Sequence, residues 1–180
     1  MKKKLSSQII LIALLVATSI SSSYADGWFS FSSRGVAPVN NKLYTAECSA
    51  CHYAYQPGLL PGRSWKKLFS NLENHFGEDA SLSQEETRQL MQYAIKNAAD
   101  KSDYKRSVKI NRSISTSDTP IRITDIPYIK RKHHELSKRH VENNPKVQSL
   151  GRCDACHTKI DKGSFSENEI NIPGFGRWED

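Results

Sequence analysis

Cys48-Ser49-Ala50-Cys51-His52 and Cys153-Asp154-Ala155-Cys156-His157 decide how this sequence reads. Both are C-x-x-C-H, the attachment pattern of a c-type haem. Two thiols three residues apart lie one helical turn from each other, on one face. From there they reach the two vinyl groups along one side of a porphyrin as thioethers. The adjacent histidine then projects its imidazole under the iron as the proximal ligand. The two motifs consume all four cysteines of the chain. Three other uses of these cysteines compete. A zinc site from two C-x-x-C pairs normally joins them by a loop far shorter than the roughly hundred residues here. A thioredoxin-like redox pair needs a βαβ context that the pattern lacks. Two structural disulfides are the default for an exported chain with four cysteines. A doubled haem motif is the more specific signal, so the expected cofactors are two covalently bound haem c groups.

Upstream of the first motif, Lys2, Lys3 and Lys4 precede an apolar run from Ile9 to Ala17, and Ser23-Tyr24-Ala25 sets small residues at the −3 and −1 positions of a cleavage site. That is a secretory signal peptide over residues 1–25, cleaved after Ala25, since a membrane span needs about 20 apolar residues. The expected location is the periplasm. Cleavage removes three lysines and no acidic residue, so the charge of +7 on 180 residues falls to +4. The apolar fraction of 37% is below the roughly 45–50% of globular domains, a benchmark that counts glycine. Such a chain lacks core material of its own, and two porphyrins would supply it. The length excludes a large multidomain enzyme, and a single apolar run excludes a polytopic membrane protein.

Beyond the motifs, Tyr53-Ala54-Tyr55-Gln56-Pro57-Gly58-Leu59-Leu60-Pro61 is followed by Arg63-Ser64-Trp65, then by Leu72-Glu73-Asn74-His75-Phe76-Gly77-Glu78. Arg122-Ile123-Thr124, Ile126-Pro127-Tyr128 and the tail from Phe165-Ser166-Glu167 to Ile170-Asn171-Ile172-Pro173 complete the set. With these stretches the chain resembles the periplasmic dihaem cytochromes c over most of residues 43–173. The resemblance implies a class I cytochrome c-like N-terminal half with a second, minimal haem segment behind it. It also implies that two histidines coordinate each iron. Its relatives pass electrons to a small oxygen-binding haem protein and are associated with a membrane b-type cytochrome, so such partners are implied here.

The residues themselves offer sixth ligands. Apart from the motif histidines there are His75, His133, His134 and His140, with Met91 the only methionine after the signal peptide. Residues 64–76 read as an amphipathic helix capped by Ser64 and stopped by Gly77, with Trp65, Leu68, Phe69, Leu72 and Phe76 on the inner face. His75 lies at the edge of that face, where a histidine packs into a core or, beside a haem, binds iron. The resemblance places a ligand there. Met91, in a helix opened by the capping box Ser83-x-x-Glu86, reads as core filler or as a rival ligand for the first iron. For the second iron, a helix over about 127–140 sets Ile129, His133, Leu136 and His140 on one face, with His134 turned about 100° away. Periodicity favours His133, as does the resemblance counted from Pro127-Tyr128. His140, near the helix end, and His134 remain alternatives, with a helix C-terminal charge and a solvated side chain as their bland readings.

The expected architecture is mainly α. Residues 26–100 form a first haem domain behind an irregular leader (26–41), with helices near 41–51, 64–76 and 84–99. Polar residues 101–119 read as a linker. Residues 120–180 form a second haem domain with a further helix entered at Asn144-Pro145, an irregular tail and one extended stretch near 169–172. This second unit has too few apolar residues for an ordinary core, so the haem-free protein is expected to be unfolded there, which hydrogen exchange checks. Residues 101–140 carry 11 basic and 4 acidic residues, a local +7, including Lys130, Arg131, Lys132, Lys138 and Arg139. That excess neutralises haem propionates, forms a solvated face, or docks an acidic electron partner or anionic lipid. Nucleic acid is not an expected partner. The function expected is single-electron transfer between redox proteins, with no catalytic residues. The alternative is a small haem reductase or peroxidase with one open iron position, which would bind carbon monoxide when reduced. A haem-based sensor is a third class, without any signalling module to support it.

Overall fold

Asn41 starts the first helix by accepting the Tyr44 N–H on its side-chain oxygen at 2.9 Å. Helix α1 (Lys42–Cys48) turns Tyr44 into the core and delivers Cys48 at its last residue. The computed structural model describes residues 34–178; the signal peptide, its cleavage site and most of the leader lie outside the described residues. Helix α2 (Gly62–Phe69) begins two residues earlier than Ser64 suggested. Pro61 has no capping side chain, and Asp100 accepts the Gly62 N–H instead at 2.6 Å, placing a carboxylate at the positive end of the helix. Ser64 is therefore a buried residue of the first turn.

The α2 helix also ends sooner, at Phe69, and the chain continues through a 3₁₀ turn at Leu72–Asn74. His75 and Glu78 then pair across a two-residue hairpin turn. Its central residues, Phe76 and Gly77, have φ of 60° and 102°, the positive values that a primed turn requires. Gly77 thus serves the turn that holds His75 rather than a helix end. Helix α3 (Gln84–Lys96) carries the predicted capping box, with the Glu86 N–H on Ser83 Oγ at 3.2 Å and the Ser83 N–H on the Glu86 carboxylate at 3.1 Å.

The segment read as a linker is not one. Helix α4 (Lys105–Arg112) occupies it, with Ser107 and Ile110 completely buried and Ile114 buried just beyond. Tyr44, Trp65, Phe69, Leu90, Ile110 and Ile126 belong to one hydrophobic core that continues into Tyr128 of the second segment. Residues 34–178 lie within one compact unit. One backbone and one side-chain hydrogen bond hold the N-terminal run against the C-terminal one: Val36 N–H donates to the Gly163 carbonyl at 3.0 Å, and Gln56 Nε2 to the Ile160 carbonyl at 2.5 Å. A Cβ on Gly163 would lie 2.0 Å from the Val36 carbonyl oxygen, and φ there is +71°. Glycine is required on both counts.

The second segment is less helical than the periodicity suggested. Helix α5 (Pro127–Lys132), with Pro127 in its first turn, stops before His133, and residues 133–152 run through successive turns. No helix forms at Asn144-Pro145. Helix α6 is the single turn Cys153–Cys156, and strands β1 (Asn171–Ile172) and β2 (Gly176–Arg177) pair antiparallel. Val141, Val147 and Ile172 are buried yet lie outside the main core; they line a cavity instead. Among the described residues no helix is long and apolar enough to cross a membrane.

Candidate haem-binding sites

The first site gathers around the end of α1. Cys48 is half-buried and Cys51 exposed, while the His75 turn folds back toward His52. The two imidazoles have centroids 6.1 Å apart and planes 23° from parallel. In the second site His133 and His157 are also 6.1 Å apart, with planes at 73°. That repeated distance has a chemical meaning. Bonds of about 2 Å from one metal to two opposed nitrogens, each roughly 1 Å from its ring centre, put the centroids about 6 Å apart. Both ring pairs therefore leave room for one metal ion between them.

Tautomers can be read from the hydrogen bonds. His52 Nδ1 lies 2.8 Å from the Tyr53 carbonyl, and His133 Nδ1 lies 2.8 Å from the Ile129 carbonyl. A carbonyl only accepts, so each Nδ1 carries the proton and each Nε2 keeps its lone pair for a metal. Burial, then the neighbouring His133 and Arg106 charges, hold His157 down to about 4. Burial, then His52 and Arg122, lower His75. Both imidazoles are thus disposed to be neutral, as a ligand must be. Their Nδ1 atoms are buried without a partner.

A partly open cavity joins His133 and His157 to Cys153 and Cys156. Ile129, Leu136, Val141, Leu150, Phe165 and Trp178 form part of its apolar wall. The apolar lining suits a flat, apolar macrocycle, and both motif cysteines, Cys153 and Cys156, belong to it. The predicted companions Ile129, His133 and Leu136 all line it although the helix ends at Lys132, because the following turn keeps them together.

His140 and His134 do not line this cavity. His140 is 5% exposed, with its ring 4.6 Å from Phe175 and 5.2 Å from Trp178. Its Nδ1 accepts the Ser137 N–H at 3.1 Å. The neutral ring therefore carries its proton on Nε2, which leaves it no lone pair for iron and makes it a buried packing residue, not a helix-end charge. His134 is exposed, with Nδ1 2.9 Å from the Arg131 carbonyl. Met91 packs against the main core, as filler.

The competing uses of cysteine fare differently. No disulfide joins any two of the four cysteines. Burial, with Glu47 beside it, pushes Cys48 up to about 11, and burial with Asp154 pushes Cys153 up to about 12. Such thiols are not the thiolates a redox pair needs. Among the described residues no three His, Cys, Asp or Glu side chains gather as a metal cluster, so the two C-x-x-C pairs do not converge.

Two residues at the candidate sites escaped the sequence. Tyr55 stacks on the His52 ring, with centroids 5.0 Å apart, and its hydroxyl donates to the Gly151 carbonyl, which also accepts the Cys153 N–H at 2.9 Å. It ties one site to the other. Arg106, on α4, lines the second cavity. Tyr55 is one of two tyrosines beside the first motif, and nothing in the spacing distinguishes it from Tyr53. Arg106 is one basic residue among many.

The family model described as dihaem cytochrome c matches residues 44–165. Among solved structures, the chain is similar to a dihaem cytochrome c from Rhodobacter sphaeroides at 45% identity, covering 72% of this chain and 100% of that one, with a TM-score of 0.64. A dihaem cytochrome type c from Shewanella baltica matches at 40% identity over 77% of this chain and 98% of that one, with a TM-score of 0.63. No curated protein sequence matches significantly.

Proposed function

The chain belongs to the dihaem cytochrome c family, and from that premise we propose that it carries single electrons through two haems, each with both axial positions filled by histidine. It is a mainly helical cytochrome with two covalently bound haem c groups. When bound, each supplies an iron that takes up and releases one electron. In this reading Cys48 and Cys51 hold the first haem and Cys153 and Cys156 the second. His52 and His75 are the first iron's ligands, and His157 and His133 the second's. The repeated centroid distance of 6.1 Å carries the proposal. Filled axial positions leave no place for substrate, and the absence of a methionine ligand favours low potentials.

Replacing His75 or His133 by Ala tests the scheme. Each change should turn one haem high-spin and leave the other low-spin, whereas His134→Ala and His140→Ala should leave both low-spin. Two low-spin haems in either His75→Ala or His133→Ala would overturn the ligand set.

A cytochrome implies redox protein partners. The local charge of +7 over residues 101–140 favours an acidic one docking beside the second haem, with an oxygen-binding cytochrome and a membrane b-type cytochrome as the partners implied by resemblance. The signal sequence assigns the work to the periplasm. N-terminal sequencing of the exported protein should begin at Asp26, and an intact Met1 would contradict this.

A further inference from the structure

The cavity wall carries a part-buried charge, Arg106, that the ligand scheme does not use. Arg106 is fixed on several sides. Its backbone N–H donates to the Gly35 carbonyl at 3.1 Å, Nη1 to the Tyr128 hydroxyl at 3.1 Å and Nη2 to the Phe165 carbonyl at 2.9 Å. The guanidinium lies 5.7 Å from the centre of the Phe165 ring, whose other contact is the His157 ring at 5.1 Å. Its Nε–H is buried and has no partner.

The other charges on the cavity wall are Lys132, Arg152 and Glu167. Lys132 pairs with Glu167 at 3.0 Å, and Arg152 lies 3.9 Å from Asp154. Among the described residues no carboxylate pairs with Arg106. A part-buried cation without an anionic partner is costly unless a ligand supplies one, and the porphyrin of a haem c carries carboxylate side chains. A guanidinium beside a carboxylate and an iron in a low-dielectric site favours the state with one more electron.

We propose that Arg106 is the counter-ion of the second haem: its guanidinium pairs with a haem carboxylate, and its charge holds that haem's reduction potential up. The inference rests on His133 and His157 being the second iron's ligands. One electron enters from a reductant and no proton need follow. Arg106 is thus a positioning and tuning residue, supplied by the segment that the sequence presented as a linker.

Spectroelectrochemical titration of the holoprotein tests this, with His133→Ala identifying which reduction step belongs to the second haem. Arg106→Gln should lower that haem's reduction equilibrium constant at least about tenfold, which is about 59 mV for a one-electron couple, and leave the first unchanged. Arg106→Met, which keeps the apolar stem on Phe165, is the second neutral variant and should act alike. Arg106→Lys, which keeps the charge, should retain most of the wild-type value. An unmoved second potential in the neutral variants, an equal fall in Arg106→Lys, or a shift of the first haem would overturn the proposal. A high-spin second haem in the unmutated protein would instead overturn the ligand scheme beneath it.

Discussion

His157 illustrates how the fold keeps an imidazole neutral. Burial and two neighbouring positive groups hold it down to about 4 from an ordinary 6.5, so folding retains the neutral form. The unfolded chain binds more protons below pH 6.5, and the stability this histidine contributes is complete above that value and declines as pH falls toward 4. Iron acts in the same direction, because metal and proton compete for one lone pair. An acid titration should therefore lower the protein's denaturation midpoint progressively over the window below about pH 6.5. A midpoint that stays level across that window would contradict the assignment of a neutral, buried ligand. His133 and His140 show why residue type alone is insufficient. Both are histidines at face-compatible spacing, and only their hydrogen bonds separate them: Nδ1 donates to a carbonyl in His133 and accepts a backbone N–H in His140.

At the scale of elements, the capping box at Ser83–Glu86 and the helix behind it were legible because local hydrogen bonds and a simple apolar period determine them. The motifs were legible from spacing, and the placing of His75 beside His52 and of His133 beside His157 from spacing and resemblance. Helix α4 was not. Its buried face is only Ser107 and Ile110, and basic residues occupy most of its other positions. The pair Ile110 and Ile114, at i and i+4, was the available signal. Helix α5 was overextended for the opposite reason: its period continues past Lys132, but the chain turns to wrap the cavity. Local pattern cannot report a bend imposed by a tertiary site. If α4 is part of the core, Ile110→Ala should cost about 2–5 kcal/mol in denaturant unfolding and should do so in one transition that releases both haem environments. A near-neutral effect would restore the linker reading.

For the molecule as a whole, the low apolar content divides between two cores. One is built from side chains and runs from α1 through Ile126 and Tyr128. The other is the cavity of the second segment, whose wall includes Val141, Val147 and Ile172. The charge is equally uneven, with +7 over residues 101–140 against +4 for residues 26–180. Several of these cations are exposed and joined only to surface carboxylates, such as Lys130 to Asp125 at 3.6 Å and Lys138 to Glu142 at 3.7 Å. Such pairs are weak, so the face keeps its positive field. Electron transfer to an acidic redox partner should slow as ionic strength rises, in stopped-flow measurements; a rate independent of salt would remove the docking face from the account.

The central claim is that two haems are held by two pairs of histidines with no coordination position open. Adding carbon monoxide to the fully reduced holoprotein, with covalent haem quantified on the same sample, tests it most directly. The account predicts two haems per chain and a visible spectrum that the gas leaves unchanged. A carbon monoxide difference spectrum in the unmutated protein at neutral pH would show an open iron and contradict it.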